Sequence, residues 1–132
     1  MPIAEYRHPT IDCPDPLALA KFYAALADLE IEDLKDFPLE KITWLTLQDK
    51  GGRSVLAFAK VDNYVEPTWP EGNVPQQSHL EFSVPDLDIA EAQAVAIGAR
   101  KPEFQPGEGF RVYLDPVGHP FCLILNYSGI NT

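Results

Sequence analysis

The sequence carries a few side chains whose chemistry suits a metal ion or a small ligand. Imidazole and thiolate groups are good ligands for zinc and related divalent ions, and the chain offers them at His8, His79 and Cys122. Asp12 and Glu81 follow the two histidines within a few positions. A carboxylate there could act as a general base, orient a metal ligand or bind a cation. The metal-ligand candidates lie far apart in the sequence, so only the fold could bring them together.

The strands and helices that would position these side chains are predicted in two halves of the same order. The first half is predicted as a strand, a helix and three strands, over residues 5–13, 16–27, 29–34, 41–48 and 53–61. The second half repeats this order, with strands over residues 78–84, 100–104, 110–114 and 120–127 and a helix that ends near Ala96. Asp15 followed by a proline is typical of a helix start. Either Asp86 or Asp88 is expected to cap the second helix. Asp88 is a candidate because it fits a capping box with Glu91.

A connector is predicted between the halves, because residues 62–77 contain three prolines and no apolar period. We therefore predict a single domain over residues 1–132, with a first module at 1–61 and a second at 78–132. An ungapped shift of 71 positions aligns the starts of the two modules. It pairs identical residues: His8 with His79, Pro14 with Pro85, Asp15 with Asp86, and Ala25 with Ala96. The match favours an internal duplication.

Alternation along the strands separates an apolar face from a polar one. Each helix must bury an apolar stripe, so the apolar faces are expected to lie under the helices. The opposite faces carry His8, Thr10 and Asp12 in the first strand, His79, Glu81 and Ser83 in the fifth, and Cys122, Ile124 and Asn126 in the last. If the two modules pair, these faces line one shared concavity.

Ligand-binding residues are also predicted for this concavity. Aromatic side chains, among them Trp44, Phe58 and Trp69, could line an apolar pocket, although aromatics of this number also build cores. Arg111 alternates with apolar neighbours and could face the concavity to clamp an anionic group, or face solvent. Asn126 is a further candidate. Cys122 could equally pack as a small buried hydrophobe, or act as a reactive thiol with His79 as its base.

Composition excludes several classes of function. The chain has 132 residues and a formal net charge of −10, with 45% hydrophobic and 23% charged residues. This is the composition of a globular protein, and its charge argues against nucleic-acid or anionic-membrane partners. Apolar runs fall far short of the roughly 20 residues that span a bilayer, and no signal-like segment is present. Two cysteines make no disulfide framework, so a cytoplasmic protein is expected.

The residues resemble the vicinal oxygen chelate superfamily of glyoxalase I, extradiol dioxygenases, fosfomycin-resistance transferases and bleomycin-resistance proteins. Three segments carry the resemblance, which covers nearly the whole chain: His8–Asp15, His79–Asp86 and Asp115–Cys122. It implies an α+β fold in which two βαβββ modules form a half-open barrel. A glyoxalase-like homodimer that binds a small molecule in a cup is therefore expected.

The metal enzymes of this superfamily take ligands from the first, fourth, fifth and eighth strands. By that resemblance His8 and His79 stand at two ligand positions, and Cys122 stands where Glu is usual. The fourth strand offers no imidazole or carboxylate. One expected function is therefore ligand binding with a degenerate or absent metal site, as in bleomycin-resistance proteins. The alternative is a metal-dependent lyase, isomerase or dioxygenase, with one Zn, Ni, Mn or Fe ion on these three residues and Glu81 or Asp12 moving a proton.

Overall fold

The computed structural model describes residues 2–125. The chain divides into two compact units, the first ending at Tyr64 and the second beginning at Val65. Each unit packs one main helix against a small mixed sheet, so the predicted α+β class is confirmed. Within the described residues, no helix is both long enough and apolar enough to cross a membrane.

The first unit contains a four-stranded sheet and one α-helix. Its elements are β1 (Thr10–Cys13), α1 (Pro16–Ala27), β2 (Glu30–Ile31), a 3₁₀ turn (Leu39–Lys41), β3 (Trp44–Gln48) and β4 (Ser54–Lys60). The strand order is β1-β4-β3-β2, with β1 parallel to β4 and the other pairs antiparallel. The helix begins where the sequence predicts, because the Asp15 carboxylate accepts the Ala18 N–H at 3.3 Å and Pro16 takes the first helical position.

The core of the first unit lies between α1 and the sheet. Phe58 is fully buried there, and its ring stacks on Tyr23 of α1 with centroids 5.8 Å apart. Phe58 thus lies in the core of the first unit, and its role in lining a ligand pocket stays a prediction. Phe58 shares a face of β4 with the buried Leu56, and that face supplies the apolar surface against which the helix packs.

The second unit contains a three-stranded sheet and one helix. Its elements are β5 (Leu80–Val84), α2 (Leu87–Ala96), β6 (Phe110–Leu114) and β7 (Pro120–Leu125). The strand order is β5-β7-β6, with β5 parallel to β7 and β6 antiparallel to it. Asp86 is the helix cap, since its carboxylate accepts the Ile89 N–H at 2.9 Å. Asp88, the other candidate, instead pairs with Arg111.

The strand predicted at residues 100–104 is reduced to a single bridge between Arg100 and Leu114. Pro102 has no N–H to continue a ladder. A side chain takes over instead: the Gln105 carboxamide donates to the Val112 carbonyl at 2.9 Å and accepts the Val112 N–H at 2.8 Å. Gln105 thus completes the outer edge of β6 in place of a backbone strand.

The two faces of the second sheet separate as alternation predicts. Phe121 lies on the core side, between the rings of Phe82 and Tyr113 at centroid distances of 6.0 and 5.7 Å. On the opposite face Cys122 packs with Val112 and Ile124. The candidate site of this unit is built on that second face.

Candidate functional site

Three potential metal ligands meet on one face of the second sheet. The parallel register of β5 and β7 places Glu81 directly beside Cys122, and His79 lies two positions before Glu81. The Nε2 atom of His79 is 3.4 Å from a carboxylate oxygen of Glu81. One ligand atom from each of the three residues lies within 4.8 Å of the other two. The structure therefore brings His79, Glu81 and Cys122 together within one unit.

This cluster forms part of a cavity of about 430 Å³, within the usual range of small-molecule sites. Its wall is mostly apolar and aromatic, with a few polar groups. The lining residues are Trp69, Gln76, His79, Glu81, Pro106, Phe110, Val112, Pro120, Cys122 and Ile124. Among these described residues Glu81 supplies a carboxylate and no lysine or arginine is present. The cavity therefore favours neutral or cationic groups over anionic ones.

The predicted connector supplies part of the cavity wall. A bridge between Thr68 and Pro75 and a 2.6 Å hydrogen bond from the Thr68 N–H to the Val74 carbonyl close its loop. Trp69 packs against the cluster around Cys122, as expected of a pocket-lining aromatic residue. Gln76 was not predicted, since a glutamine in a proline-rich segment carries no signal of burial. Its Oε1 atom is buried without a hydrogen-bond partner among the described residues.

The Cys122 thiol is only 5% exposed at the cavity wall. Burial, followed by the negative charge of Glu81, raises the pKa of this thiol to about 11. The thiol is consequently protonated at neutral pH, and a protonated thiol is a poor nucleophile. The raised pKa therefore argues against a reactive-thiol role for Cys122 with His79 as its base.

Arg111 does not line this cavity, because its side chain lies on the helix side of β6. Its guanidinium donates to Asp88 at 2.8 Å and to Glu91 at 3.2 Å, both on α2. Side chains alternate along β6, so the neighbouring Val112 faces the cavity and Arg111 faces the helix. Arg111 therefore contributes no charge to this cavity, and its ligand-binding role stays a prediction.

The other predicted site residues lie in the first unit or outside the described residues. His8 stands just before β1, with Nδ1 3.1 Å from the Pro9 carbonyl and its ring 6.1 Å from that of Trp44. Asp12 and Trp44 share a face of their sheet, because both are in register with Ala59. A metal-binding role for His8 and a catalytic role for Asp12 remain predictions. Asn126 lies outside the described residues.

The donor set in the second unit suits a divalent ion. Imidazole nitrogen, thiolate sulfur and carboxylate oxygen are all zinc ligands, at about 2.0–2.3 Å from the ion. One ligand atom each of His79, Glu81 and Cys122 lies within 4.8 Å of the other two, so the three side chains are close enough to share one ion. These residues would hold the ion, which would supply a Lewis acid at the cavity wall.

Comparisons with known proteins agree with this fold. A family model described as a glyoxalase-like domain matches residues 8–124. A glyoxalase/bleomycin resistance protein/dioxygenase family enzyme from Burkholderia phytofirmans PsJN is 17% identical at a TM-score of 0.65, over 94% of this chain and 100% of that one. A fosfomycin resistance protein from Mesorhizobium loti is 14% identical at a TM-score of 0.62, over 97% and 96% of the two chains.

A glyoxalase-related enzyme from Fulvimarina pelagi is 19% identical at a TM-score of 0.61, over 94% of this chain and 89% of that one. No curated protein matches the sequence. The structural likenesses establish the fold alone, whereas the family model spans most of the chain. The chain therefore belongs to the glyoxalase-like family.

Proposed function

We propose that this protein binds a small, largely apolar molecule in the cavity of its second unit, and that the family's four-ligand metal set is degenerate in it. The observation that carries the proposal is the cavity of about 430 Å³, which joins an apolar wall to a few polar groups. The fourth strand of the family pattern, β4, contributes no imidazole or carboxylate. Binding of a ligand therefore needs fewer assumptions than catalysis by a complete metal centre.

The chemistry of the wall favours an aromatic ligand that is neutral or cationic. Trp69 and Phe110 offer ring faces for stacking, and such rings also attract cations. Glu81 adds a carboxylate, and the whole chain carries a net charge of −10. Gln76 adds a carboxamide whose buried oxygen has no hydrogen-bond partner among residues 2–125. A ligand that donates a hydrogen bond to this oxygen should therefore gain affinity.

The two tryptophans allow a direct test. Trp69 lines the cavity, whereas Trp44 lies in the first unit and is 49% exposed. In ¹H–¹⁵N correlation spectra, aromatic amines such as naphthylmethylamine are expected to shift the indole N–H signal of Trp69 and leave that of Trp44 unchanged. A folded Val112→Phe variant, which fills part of the cavity, should bind more weakly. A screen in which no compound moves the Trp69 signal, or in which V112F binds equally well, contradicts the proposal.

Metal-dependent catalysis is the second candidate function, as a lyase, isomerase or dioxygenase. It is favoured by the convergence of His79 and Cys122 beside Glu81. On this proposal His8, His79 and Cys122 hold one Zn, Ni, Mn or Fe ion, and Glu81 or Asp12 moves a proton of the bound substrate. Turnover of dicarbonyl, thiol-addition or ring-cleavage substrates that is lost in both His8→Ala and His79→Ala variants supports it. Equal turnover in H8A and the wild type contradicts this ligand set.

We also propose that the chain forms a homodimer in the cytoplasm, as its family resemblance implies. The chain contains two cysteines, too few for a disulfide framework, and this is compatible with a reducing compartment. Sedimentation velocity should give about twice the 14.7 kDa mass of one chain. A mass of one chain at all concentrations contradicts the dimer.

A further inference from the structure

We propose that His79, Glu81 and Cys122 form by themselves a binding site for a soft divalent ion such as Zn²⁺, with Glu81 as the third ligand in place of His8. The site lies wholly within the second unit. It differs from the superfamily set in that β5 and the residue just before it supply two ligands and the first unit supplies none. The proposal does not depend on which organic molecule the cavity binds, so the two can fail separately.

The backbone preorganises this site. Five consecutive register pairs join β5 to β7, from Leu80 with Phe121 to Val84 with Leu125. Neighbouring strands lie about 4.8 Å apart, so Glu81 and Cys122 are held side by side. His79 immediately precedes β5, and its Nε2 already lies 3.4 Å from the Glu81 carboxylate. Two of the three ligands are thus in contact before any ion binds.

The surroundings of the three ligands also suit an ion. Cys122 lies in the wall against Val112 and Ile124, where apolar neighbours exclude water from the sulfur. His79 and Glu81 are 35% and 43% exposed and leave a path for the ion to enter. A nitrogen, a sulfur and an oxygen ligand leave one position of a tetrahedral ion open, as in catalytic zinc sites. The thiolate favours Zn²⁺ or Co²⁺ over Mg²⁺ and Ca²⁺.

A simple ion pair between His79 and Glu81 is the competing explanation of the cluster. Such a pair needs no sulfur, so it predicts that Cys122 takes no part in binding. The proposed site requires all three side chains. Spectroscopy of bound Co²⁺ separates the two explanations, because a cobalt–thiolate bond has its own charge-transfer absorption.

The experiment is a Co²⁺ titration of the full chain after treatment with a chelator. One equivalent is expected to bind with a thiolate-to-cobalt charge-transfer band, and Zn²⁺ should displace it. Cys122→Ser and Cys122→Ala should both abolish the band. His79→Ala and Glu81→Gln should each weaken binding by at least about tenfold. Circular dichroism shows which variants remain folded. Two Cys122 variants are made so that the test still works if one of them does not fold.

The chain offers matched controls for both kinds of ligand. Cys13→Ser removes the other buried thiol, in the first unit, and His8→Ala removes the first-unit histidine. The C13S variant should bind Co²⁺ as the wild type does, and H8A should do so only if Glu81 rather than His8 is the third ligand. The proposal is overturned if the wild type shows no charge-transfer band, if the band survives in folded C122S and C122A variants, or if H8A weakens binding as much as H79A.

Discussion

At the scale of single residues, Glu91 of α2 is the centre of a polar network on the helix side of the second sheet. One of its carboxylate oxygens accepts from Tyr113 at 2.9 Å and Arg111 at 3.2 Å, and lies 2.9 Å from the Lys101 ammonium. The hydrogen bond from Lys101 lowers the pKa of Glu91 most, below its ordinary value of 4.5. The Tyr113 hydrogen bond and the charges of Lys101 and Arg111 lower it further, whereas partial burial acts in the opposite direction. Burial and the Glu91 contact raise the pKa of the Tyr113 phenol. Folding therefore favours the charged form of Glu91.

Glu91→Gln is expected to lower the free energy of unfolding by about 1–2 kcal/mol at pH 7, because the charged acceptor of three donors is lost. The pKa of Glu91 is 4.5 in the unfolded chain and lower in the folded protein. The stability that the charged carboxylate contributes is therefore complete above pH 4.5 and is lost as the pH falls through the pKa of the folded state. The difference between E91Q and the wild type should therefore shrink below pH 4.5. Urea unfolding at several pH values measures this dependence.

Glu66 provides a control for this prediction, because it pairs with Arg100 at 2.9 Å while both side chains are at least half exposed. Glu66→Gln should cost less than about 0.5 kcal/mol. Equal losses in E66Q and E91Q, or an E91Q difference that does not change with pH, contradict the network's proposed role.

Alternation along single strands placed His79, Glu81 and Cys122 on one face of the predicted sheet but left open which face Arg111 takes. His79, Glu81 and Cys122 needed only the period of two and the assumption that the helix covers the apolar face. The position of Arg111 is decided by Asp88 and Glu91, about 20 residues earlier on a helix. Such a pairing between a strand and a helix leaves no local signal in the sequence.

At the scale of elements, the two β-hairpin turns are built alike. In the first unit Asp49 accepts the N–H groups of Gly51 and Arg53, both at 3.0 Å, before Gly52 at a φ of 83°. In the second unit Asp115 accepts from Val117 and His119, both at 3.0 Å, before Gly118 at a φ of 94°. Positive φ suits glycine and lets the chain reverse into the next strand.

This likeness extends the internal duplication, and the ungapped sequence comparison missed it. The starts of the two modules are offset by 71 positions, but the two turn aspartates, Asp49 and Asp115, are offset by 66. The second unit is shorter in this region, where Arg100 keeps one bridge in place of a strand. An alignment with one fixed offset therefore matches the first strands and helices of the two modules but not their hairpins.

Asp115→Ala is expected to cost about 2–3 kcal/mol of unfolding free energy, and Asp49→Ala about 1 kcal/mol. Asp115 is fully buried, so its removal takes the carboxylate acceptor away from two partly buried N–H groups that water reaches less easily. Asp49 is more exposed, so water can replace its carboxylate. Thermal unfolding of the two variants tests this difference, and equal losses would show that burial of the turn does not matter.

At the scale of the whole molecule, composition and family resemblance predicted the class of fold but not the ligand. The α+β class and the family follow from motifs near the strand ends, and the family model spans residues 8–124. The cavity depends on Trp69 and Gln76, which lie in a proline-rich segment without periodicity. Their positions are set by the tertiary path of that loop, which the sequence pattern does not encode locally.

Charge is the property of the whole chain that should act on any ligand. With 20 acidic and 10 basic residues, the protein attracts cations through long-range electrostatics. Salt limits the range of this attraction, because the Debye length is about 30 Å at 0.01 M ionic strength and about 8 Å at 0.15 M. If the cavity binds aromatic molecules as proposed, naphthylmethylamine should bind several-fold more weakly at the higher salt concentration. Naphthylmethanol, its neutral counterpart, should bind equally at both.

Titrations followed at the Trp69 indole N–H measure both affinities in the same cavity. The neutral compound is the control for effects of salt on stacking and on the protein itself. A cationic compound whose affinity does not change with salt would show that local contacts alone, such as those to Glu81, decide its binding. If salt weakens the binding of both compounds equally, it acts on contacts with the apolar wall and not on charge. Either result contradicts long-range attraction by the acidic chain.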